Sequence, residues 1–145
     1  LCLTVLAVFN IKIFGKTLGE YIKPIWCFIV IAIAAVLWQY LIGVTLEGNS
    51  LQLRISQWLW EAMVLASAYK LSKISDFGYK NMFFLGVLYS LIIHGLKVTI
   101  RYFFYAKTLW YALDRFLYGG LLVMLIAVGL GFAFILLRNK KQTGI

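Results

Sequence analysis

The chain has 145 residues, of which 63% are hydrophobic and 17% aromatic, and its mean hydropathy is +0.92. This composition lies far outside the range of soluble globular domains, and a single proline with 13% charged residues equally excludes a disordered chain. Fourteen Lys and Arg against five acids give a net charge of +9, which without an RNA-binding motif indicates contact with anionic lipid headgroups. We therefore expect the lipid bilayer as the main partner, and no nucleic acid.

The first 23 residues combine apolar positions at helical spacing with Lys12, Lys16, Glu20 and Lys23. A basic amphipathic segment of this type usually lies in the headgroup plane of a bilayer. Residues 1–23 are therefore predicted to form an interfacial amphipathic helix. The alternative is that they are the remnant of a longer hydrophobic element.

Pro24 is followed by an apolar run over residues 25–46, which exceeds the roughly 20 residues that a helix needs to cross the hydrocarbon layer. Proline in the first turn of a helix removes no hydrogen bond, so the first transmembrane helix is predicted to begin here. A short polar turn over residues 47–50 follows by composition.

Residues 53–71 predict a second transmembrane helix, although this stretch contains Arg54, Gln57 and Glu61. Small residues later in the run permit close contact with neighbouring helices. We expect this polar-edged span to be held by other helices more than by lipid.

Residues 81–105 predict a third transmembrane helix that carries polar side chains at spacings of three and four. On a helix with 3.6 residues per turn these positions form one continuous face. The face consists of Ser90, His94, Lys97, Arg101 and Tyr105. Ionisable groups at this depth avoid lipid, so the face is predicted to look towards protein, water or a bound ion.

Residues 112–137 predict a fourth transmembrane helix with small residues four apart, at Ala127 and Gly131 and at Gly129 and Ala133. This spacing is typical of a close helix packing face.

Aromatic residues near the predicted helix ends are expected to anchor the protein at the membrane interface. These predicted anchors are Trp58, Trp60, Tyr102, Tyr105 and Trp110.

The predicted fold is an all-α integral membrane protein with four transmembrane helices and an N-terminal interfacial amphipathic helix. Its parts are the amphipathic segment 1–23, the transmembrane domain 24–138 and a basic polar tail 139–145. With four spans, nine Lys and Arg fall on the side of both termini and five on the opposite side. The positive-inside rule then predicts both termini on the cytoplasmic side of a bacterial inner membrane or the matrix side of a mitochondrial inner membrane.

Six ionisable residues of the second to fourth spans are predicted to meet in the outer half of the bundle. They are Glu61, His94, Lys97, Arg101, Asp114 and Arg115. At a rise of about 1.5 Å per residue, Glu61 lies ~9 Å, Lys97 ~6 Å and His94 ~10 Å below the same membrane surface. Asp114 and Arg115 lie near the level of Arg101.

This constellation has three interpretations. In the first, Glu61 neutralises Lys97 inside the bundle. Asp114 then neutralises Arg101, and His94 donates a hydrogen bond to an oxygen. In the second, the surplus positive charge binds an anionic lipid or a small anion from the outer side, such as a carboxylate, a phosphate headgroup or a quinone-like acceptor. In the third, these groups meet opposite charges on the helices of another subunit.

Two local resemblances cover about one helix each. The WLWE run at residues 58–61 resembles the opening of the second span in small membrane subunits of tripartite periplasmic-binding transporters, whose histidine-containing loop motif is missing here. Glu61 and Tyr69, followed by a basic loop, are similar to the phosphate-starvation-inducible E family, but His94 and Lys97 replace the arginine of its third span. Neither resemblance assigns a role to a residue.

The sequence contains no catalytic or nucleotide-binding motif, and two cysteines and one histidine do not make a zinc or haem site. No cofactor, metal or catalytic activity is therefore expected. Small size and small-residue packing faces predict an accessory or scaffold subunit of a larger membrane complex, of transport or respiratory type, with other integral membrane subunits as partners. The alternative is a self-sufficient or homo-oligomeric transporter or channel that binds an anionic solute at Glu61, His94, Lys97 and Arg101. A membrane enzyme that acts on lipid is a third possibility.

Overall fold

The computed structural model describes residues 2–43 and 51–144, and the chain is mostly helical (84%). A short helix and a hairpin come first: α1 (Cys2–Val8), β1 (Lys12–Ile13) and β2 (Lys16–Thr17). Two uninterrupted helices follow, α2 (Leu18–Gly43) and α3 (Leu51–Ser72). The third rod consists of α4 (Tyr79–Tyr89), the π-helical turn π1 (Ser90–His94) and α5 (Gly95–Phe104). The fourth rod consists of α6 (Leu109–Met124), the π-helical turn π2 (Leu125–Leu130) and α7 (Gly131–Gln142).

Three helical stretches of the described residues are long and apolar enough to cross a membrane. They are Leu18–Leu41, Tyr79–Phe104 and Leu109–Gln142. Helix α3 is not among them, although it has 22 residues, because its polar side chains make it less apolar. The predicted helical class is confirmed, whereas the span over residues 53–71 stays a prediction.

The amino-terminal region differs from the predicted helix over residues 1–23. Helix α1 has only seven residues, and the chain then turns back through the antiparallel hairpin of β1 and β2. The two residues of the hairpin turn, Phe14 and Gly15, have φ angles of 51° and 83°, as a type I′ turn requires. The prediction of one continuous amphipathic helix is therefore wrong, because a hairpin interrupts it.

Helix α2 begins at Leu18, before the predicted start at Pro24. The backbone N–H of Glu20 donates to Thr17 Oγ1 (3.3 Å), and the backbone N–H of Thr17 donates to the Glu20 carboxylate (2.7 Å). This reciprocal pair is a capping box, which satisfies two donors of the first helical turn. Pro24 therefore lies inside the helix, and the predicted start is wrong. Residues 44–46 of the predicted first span and the predicted polar turn over residues 47–50 lie outside the described residues.

We expect Thr17→Ala to lower the free energy of unfolding by about 1 kcal/mol, because the first turn of α2 loses its cap. The matched control is Thr99→Ala. The hydroxyl of Thr99 donates to the carbonyl of Gly95 one turn earlier (2.7 Å), a bond that adds little to helix stability. Denaturant titration of the purified protein in detergent measures both variants. Equal stabilities would contradict the capping role of Thr17.

Helix α3 packs against α2, against α4 and against α7. Its inner face forms a large part of the core, with four fully buried hydrophobic residues: Trp60, Val64, Ala68 and Leu71. Consecutive long helices are thus neighbours in the bundle. On α3 the polar residues Ser56, Ser67 and Ser72 are buried, whereas Arg54 and Gln57 are exposed.

The two small-residue pairs predicted as packing sites on the fourth rod differ. Ala127 is buried, and a Cβ on Gly131 would lie 2.9 Å from Met82 Cγ. Gly129 is exposed, and no atom lies within 4 Å of a Cβ placed there. The packing face therefore follows Ala127 and Gly131, and the prediction that Gly129 packs closely is wrong.

A polar network closes the end of the bundle that carries the hairpin. The hydroxyl of Tyr21 donates to the carbonyl of Ile13 (3.0 Å) and accepts a hydrogen bond from Asn81 Nδ2 (2.6 Å). Lys16 forms a salt bridge with Asp76 (3.6 Å). These contacts tie the hairpin to α2 and to the start of α4.

Arg138 on α7 binds the loop between α3 and α4. Its Nη1 donates to the carbonyls of Ser72, Ile74 and Phe77, at 2.7, 2.8 and 3.2 Å. The end of the fourth rod is thereby tied to the end of α3.

Candidate functional site

The polar face of the third rod begins in the π-helical turn π1. The hydroxyl of Ser90 donates to the carbonyl of Gly120 on α6 (3.1 Å). His94, the last residue of the turn, is buried against the same helix. A π-helical turn adds one residue to a helical turn and is frequent at functional sites. Here both ends of the turn face α6.

The imidazole of His94 fits between a glycine and an indole. A Cβ placed on Gly119 would overlap the His94 ring, so a larger residue at that position would displace the imidazole. On α3, the ring of Trp60 meets the imidazole edge-on, with ring centroids 5.6 Å apart. His94 Nε2 is buried without a hydrogen-bond partner among the described residues, so the predicted bond to an oxygen is not formed through this atom.

Two basic residues of the third rod lie over aromatic rings of neighbouring helices. Lys97 Nζ is 4.6 Å from the ring centroid of Trp60, which is only 1% exposed. The guanidinium of Arg101 lies 5.8 Å from the ring of Tyr40 and 5.9 Å from that of Tyr111. Arg101 Nη1 also donates to the Tyr111 hydroxyl (3.4 Å). Both side chains are therefore turned towards neighbouring helices of the bundle.

Two further basic side chains lie near the ring of Tyr111. The guanidinium of Arg115 lies 5.5 Å from its ring, and Lys107 Nζ lies 5.6 Å from it. Together with Arg101, three basic residues surround one phenol ring at this end of the bundle.

A cavity of about 540 Å³ lies between α2, α3, α5 and α6. We call it the basic cavity. Its polar lining consists of Gln39, Gln57, His94, Lys97, Arg101, Arg115 and Tyr118. Its apolar wall consists of Val98, Leu121, Leu122 and Leu125. Among the described residues that line it there are three basic side chains and no Asp or Glu. The Glu61 carboxylate lies behind the lining residue Gln57 and interacts electrostatically with Lys97, but it forms no ion pair with it.

The two predicted ion pairs of this region are not found in the described part of the chain, whose one salt bridge lies near the hairpin. Glu61, the predicted partner of Lys97, accepts a hydrogen bond from Gln57 Nε2 instead (2.9 Å). Asp114, the predicted partner of Arg101, is exposed. The structure thus differs from the first interpretation, in which carboxylates of the chain neutralise these bases.

Several polar atoms at the cavity are buried without a hydrogen-bond partner among the described residues. They are Gln39 Oε1 and His94 Nε2, which line the cavity, and Trp60 Nε1 beside it. A buried polar group without a partner is unfavourable by about 1–3 kcal/mol. The cavity therefore offers hydrogen-bonding capacity as well as charge.

No family model, curated protein or solved structure matches this chain. Within the described residues, no group of three or more His, Cys, Asp and Glu side chains is arranged to hold a metal ion. The chemistry of the basic cavity is therefore the basis on which a function is assigned.

The predicted aromatic anchors divide into two groups. The exposed ones are Trp58, Tyr102, Tyr105 and Trp110. Trp60 is buried and lies beneath Lys97 and beside His94, so its prediction as an interfacial anchor is wrong. The side chains of residues i and i+2 of a helix are about 200° apart around the helix axis, so Trp58 and Trp60 cannot both face outward.

Some residues of the site were missed from the sequence. Gln39 is a polar residue in an otherwise apolar span, which is the signal that singled out His94, and it could have been found in the same way. Tyr40 and Tyr111 carried no such signal, because aromatic residues near helix ends are expected in any membrane protein.

Proposed function

We propose that this protein is a four-helix membrane protein that binds an anionic group in the basic cavity, as the binding site of a small transporter or channel. The observation that carries the proposal is that Lys97, Arg101 and Arg115 line one cavity in which the described residues place no carboxylate. A phosphate or carboxylate group supplies the missing negative charge.

The energetics of partly buried charge favour such a ligand, because Lys97 and Arg101 are half-buried. Removing an ion from water costs several kcal/mol even after the protein relaxes. A cation–π contact returns about 0.5–2 kcal/mol, so the rings beneath Lys97 and Arg101 offset only part of that cost. An anion in the cavity offsets the rest through charge-assisted hydrogen bonds.

The direction of the Lys97 side chain also supports binding within the bundle. A lysine near the end of a membrane helix usually extends to the headgroups, where its charge is hydrated. Lys97 Nζ lies instead over a buried indole and lines the cavity. A cation directed inward in this way is suited to meet a ligand there.

We further propose that α3 is the fourth membrane span. Helix α3 contacts α2, α4 and α7 and buries Ser56, Ser67 and Ser72, three of the polar residues that keep it from being as apolar as the other three helices. With four spans both termini lie on one side. The excess of Lys and Arg on that side favours the cytoplasmic face of a bacterial inner membrane, or the matrix face of a mitochondrial inner membrane.

The test compares two probes that share an apolar chain and differ in charge, dodecyl phosphate and dodecyl glycerol. Wild-type protein in detergent is expected to bind the phosphate at least about tenfold more tightly, because hydrogen bonds to charged groups contribute about 1.5–3 kcal/mol each. Lys97→Met and Arg101→Met are each expected to weaken phosphate binding about tenfold or more. The matched control is Lys140→Met, at an exposed position of α7, which should leave binding unchanged.

Equal binding of the two probes by wild-type protein would overturn the proposal. A loss of phosphate binding in Lys140→Met equal to that in Lys97→Met and Arg101→Met would overturn it too, because binding would then depend on net charge and not on the cavity. Equilibrium dialysis with radiolabelled probes measures all of these affinities.

The accessory-subunit function stays a second candidate, because one end of the bundle exposes large aromatic side chains. Phe104 and Trp110 are both 82% exposed, and Phe103 is exposed beside them. Contiguous exposed apolar surface is typical of contact with another membrane subunit or with lipid. A chain that is degraded when it is expressed without partner chains, yet stable with them, would favour the subunit over the self-sufficient binding protein.

A further inference from the structure

A second, apolar cavity adjoins the basic one. It measures about 360 Å³, and its apolar lining includes Val87, Leu91, Leu117, Leu121 and Met124. We call it the apolar groove. Leu121 belongs to the walls of both cavities, so the two are neighbours across one side chain of α6.

The apolar groove offers almost nothing to a polar ligand. Ser90 is its one polar side chain among the described residues, and the hydroxyl already donates to the carbonyl of Gly120, which also lines the groove (3.1 Å). A hydrocarbon chain fits such a lining without leaving a hydrogen bond unsatisfied. The groove and the basic cavity therefore suit the two ends of one amphiphilic molecule.

Both cavities open on the outer side of the fourth rod. Tyr118 of the basic cavity is 77% exposed, and Leu121 between the cavities is 62% exposed. These side chains belong to a helix that is long and apolar enough to cross a membrane, so their surroundings are expected to be acyl chains. A ligand reaches the site sideways from the bilayer without passing through water.

We propose that the ligand is an anionic lipid whose phosphate or carboxylate headgroup lies in the basic cavity and whose chain lies in the apolar groove. This inference rests on the proposed function and deepens it, because it assigns a ligand class to the same site. A small water-soluble anion uses the three cations but leaves the wall of Leu121, Leu122 and Leu125 unused.

The test varies the chain of the probe and the width of the groove separately. Wild-type protein is expected to bind dodecyl phosphate at least about tenfold more tightly than butyl phosphate, with concentrations expressed relative to detergent, because only the longer chain fills the groove. Leu117→Trp places an indole in the groove and is expected to remove most of this difference. Leu136→Trp is the matched control, since this exposed leucine of the same rod lines neither cavity.

Butyl phosphate binding should be unchanged in Leu117→Trp, which shows that the variant is folded and that the headgroup site is intact. If wild-type protein binds both phosphates equally and Leu117→Trp has no effect, the lipid inference is wrong while the proposed anion site stands. If wild-type protein binds neither phosphate, the lipid inference and the proposed anion site are both wrong. An equal loss of dodecyl phosphate binding in Leu136→Trp would also overturn the groove assignment.

Discussion

Gly119→Ala is expected to lower the free energy of unfolding by about 1–3 kcal/mol, the usual effect of overpacking a filled site. The added methyl group would overlap the imidazole of His94. The ring has little room to retreat, because His94 is buried and Trp60 lies on its other side. The third and fourth rods must therefore move apart at the cavity, so phosphate binding is expected to weaken as well.

The control for this substitution lies on the same rod. Gly129→Ala meets no atom within 4 Å, and a helical glycine replaced by alanine is expected to stabilise the protein by up to about 1 kcal/mol. Both substitutions add the same methyl group, but Gly119→Ala is expected to lower the free energy of unfolding and Gly129→Ala to raise it. Denaturant titrations in detergent measure both.

A double substitution tests whether His94 is the cause. His94→Ala together with Gly119→Ala removes the overlap, so the pair is expected to be less destabilising than the sum of the two single changes. If the effects add, or if Gly119→Ala is as stable as Gly129→Ala, the close approach of His94 to α6 is contradicted.

Arg138→Met is expected to lower the free energy of unfolding by about 2–4 kcal/mol. The substitution removes the donor to three backbone carbonyls, those of Ser72, Ile74 and Phe77. Bonds to a charged donor contribute about 1.5–3 kcal/mol each, but they share one nitrogen and are not additive. The loop between α3 and α4 should then open first, which hydrogen exchange of its amides detects.

Lys140→Met is the matched control for Arg138→Met, because it also replaces a basic residue of α7 by methionine. Lys140 is exposed, so its replacement is expected to change stability by no more than about 0.5 kcal/mol. Arg138→Lys keeps the positive charge but loses the planar guanidinium with its several donors. Its stability is expected to lie between those of Arg138→Met and Lys140→Met. Equal stability of the two methionine variants would contradict the role of Arg138.

The sequence predicted best those features that depend only on the spacing of residues along a single helix. The spacing of His94, Lys97 and Arg101 predicted a common polar face, and the structure places all three at one cavity. Helical periodicity determines which residues share a face, and the high energy of charge in lipid predicts that the face turns inward. Neither helical periodicity nor the energy of a charge in lipid depends on which helices are neighbours.

The partners of those bases could not be predicted in the same way. Counting residues along a helix gives the depth of Glu61 and Asp114, but not the direction in which each side chain points around its helix axis. Glu61 is hydrogen-bonded to Gln57 on its own helix, and Asp114 faces outward. Equal depth was therefore not sufficient to form an ion pair.

The amino-terminal region was mispredicted for a local reason. Phe14 adopts φ 51°, a conformation that a non-glycine residue rarely takes, so the hairpin turn had no strong sequence signal apart from Gly15. The capping box of Thr17 and Glu20 was visible as a T-x-x-E spacing before an apolar run. It was a better indicator of the helix start than Pro24.

A density map of the protein with dodecyl phosphate tests most directly whether an external anion balances Lys97, Arg101 and Arg115. We predict phosphate density within about 4 Å of Lys97 Nζ and of the Arg101 guanidinium, as charge-assisted contacts require. A carboxylate of the chain in that position, such as that of Glu61, or phosphate bound elsewhere on the bundle, would contradict the account.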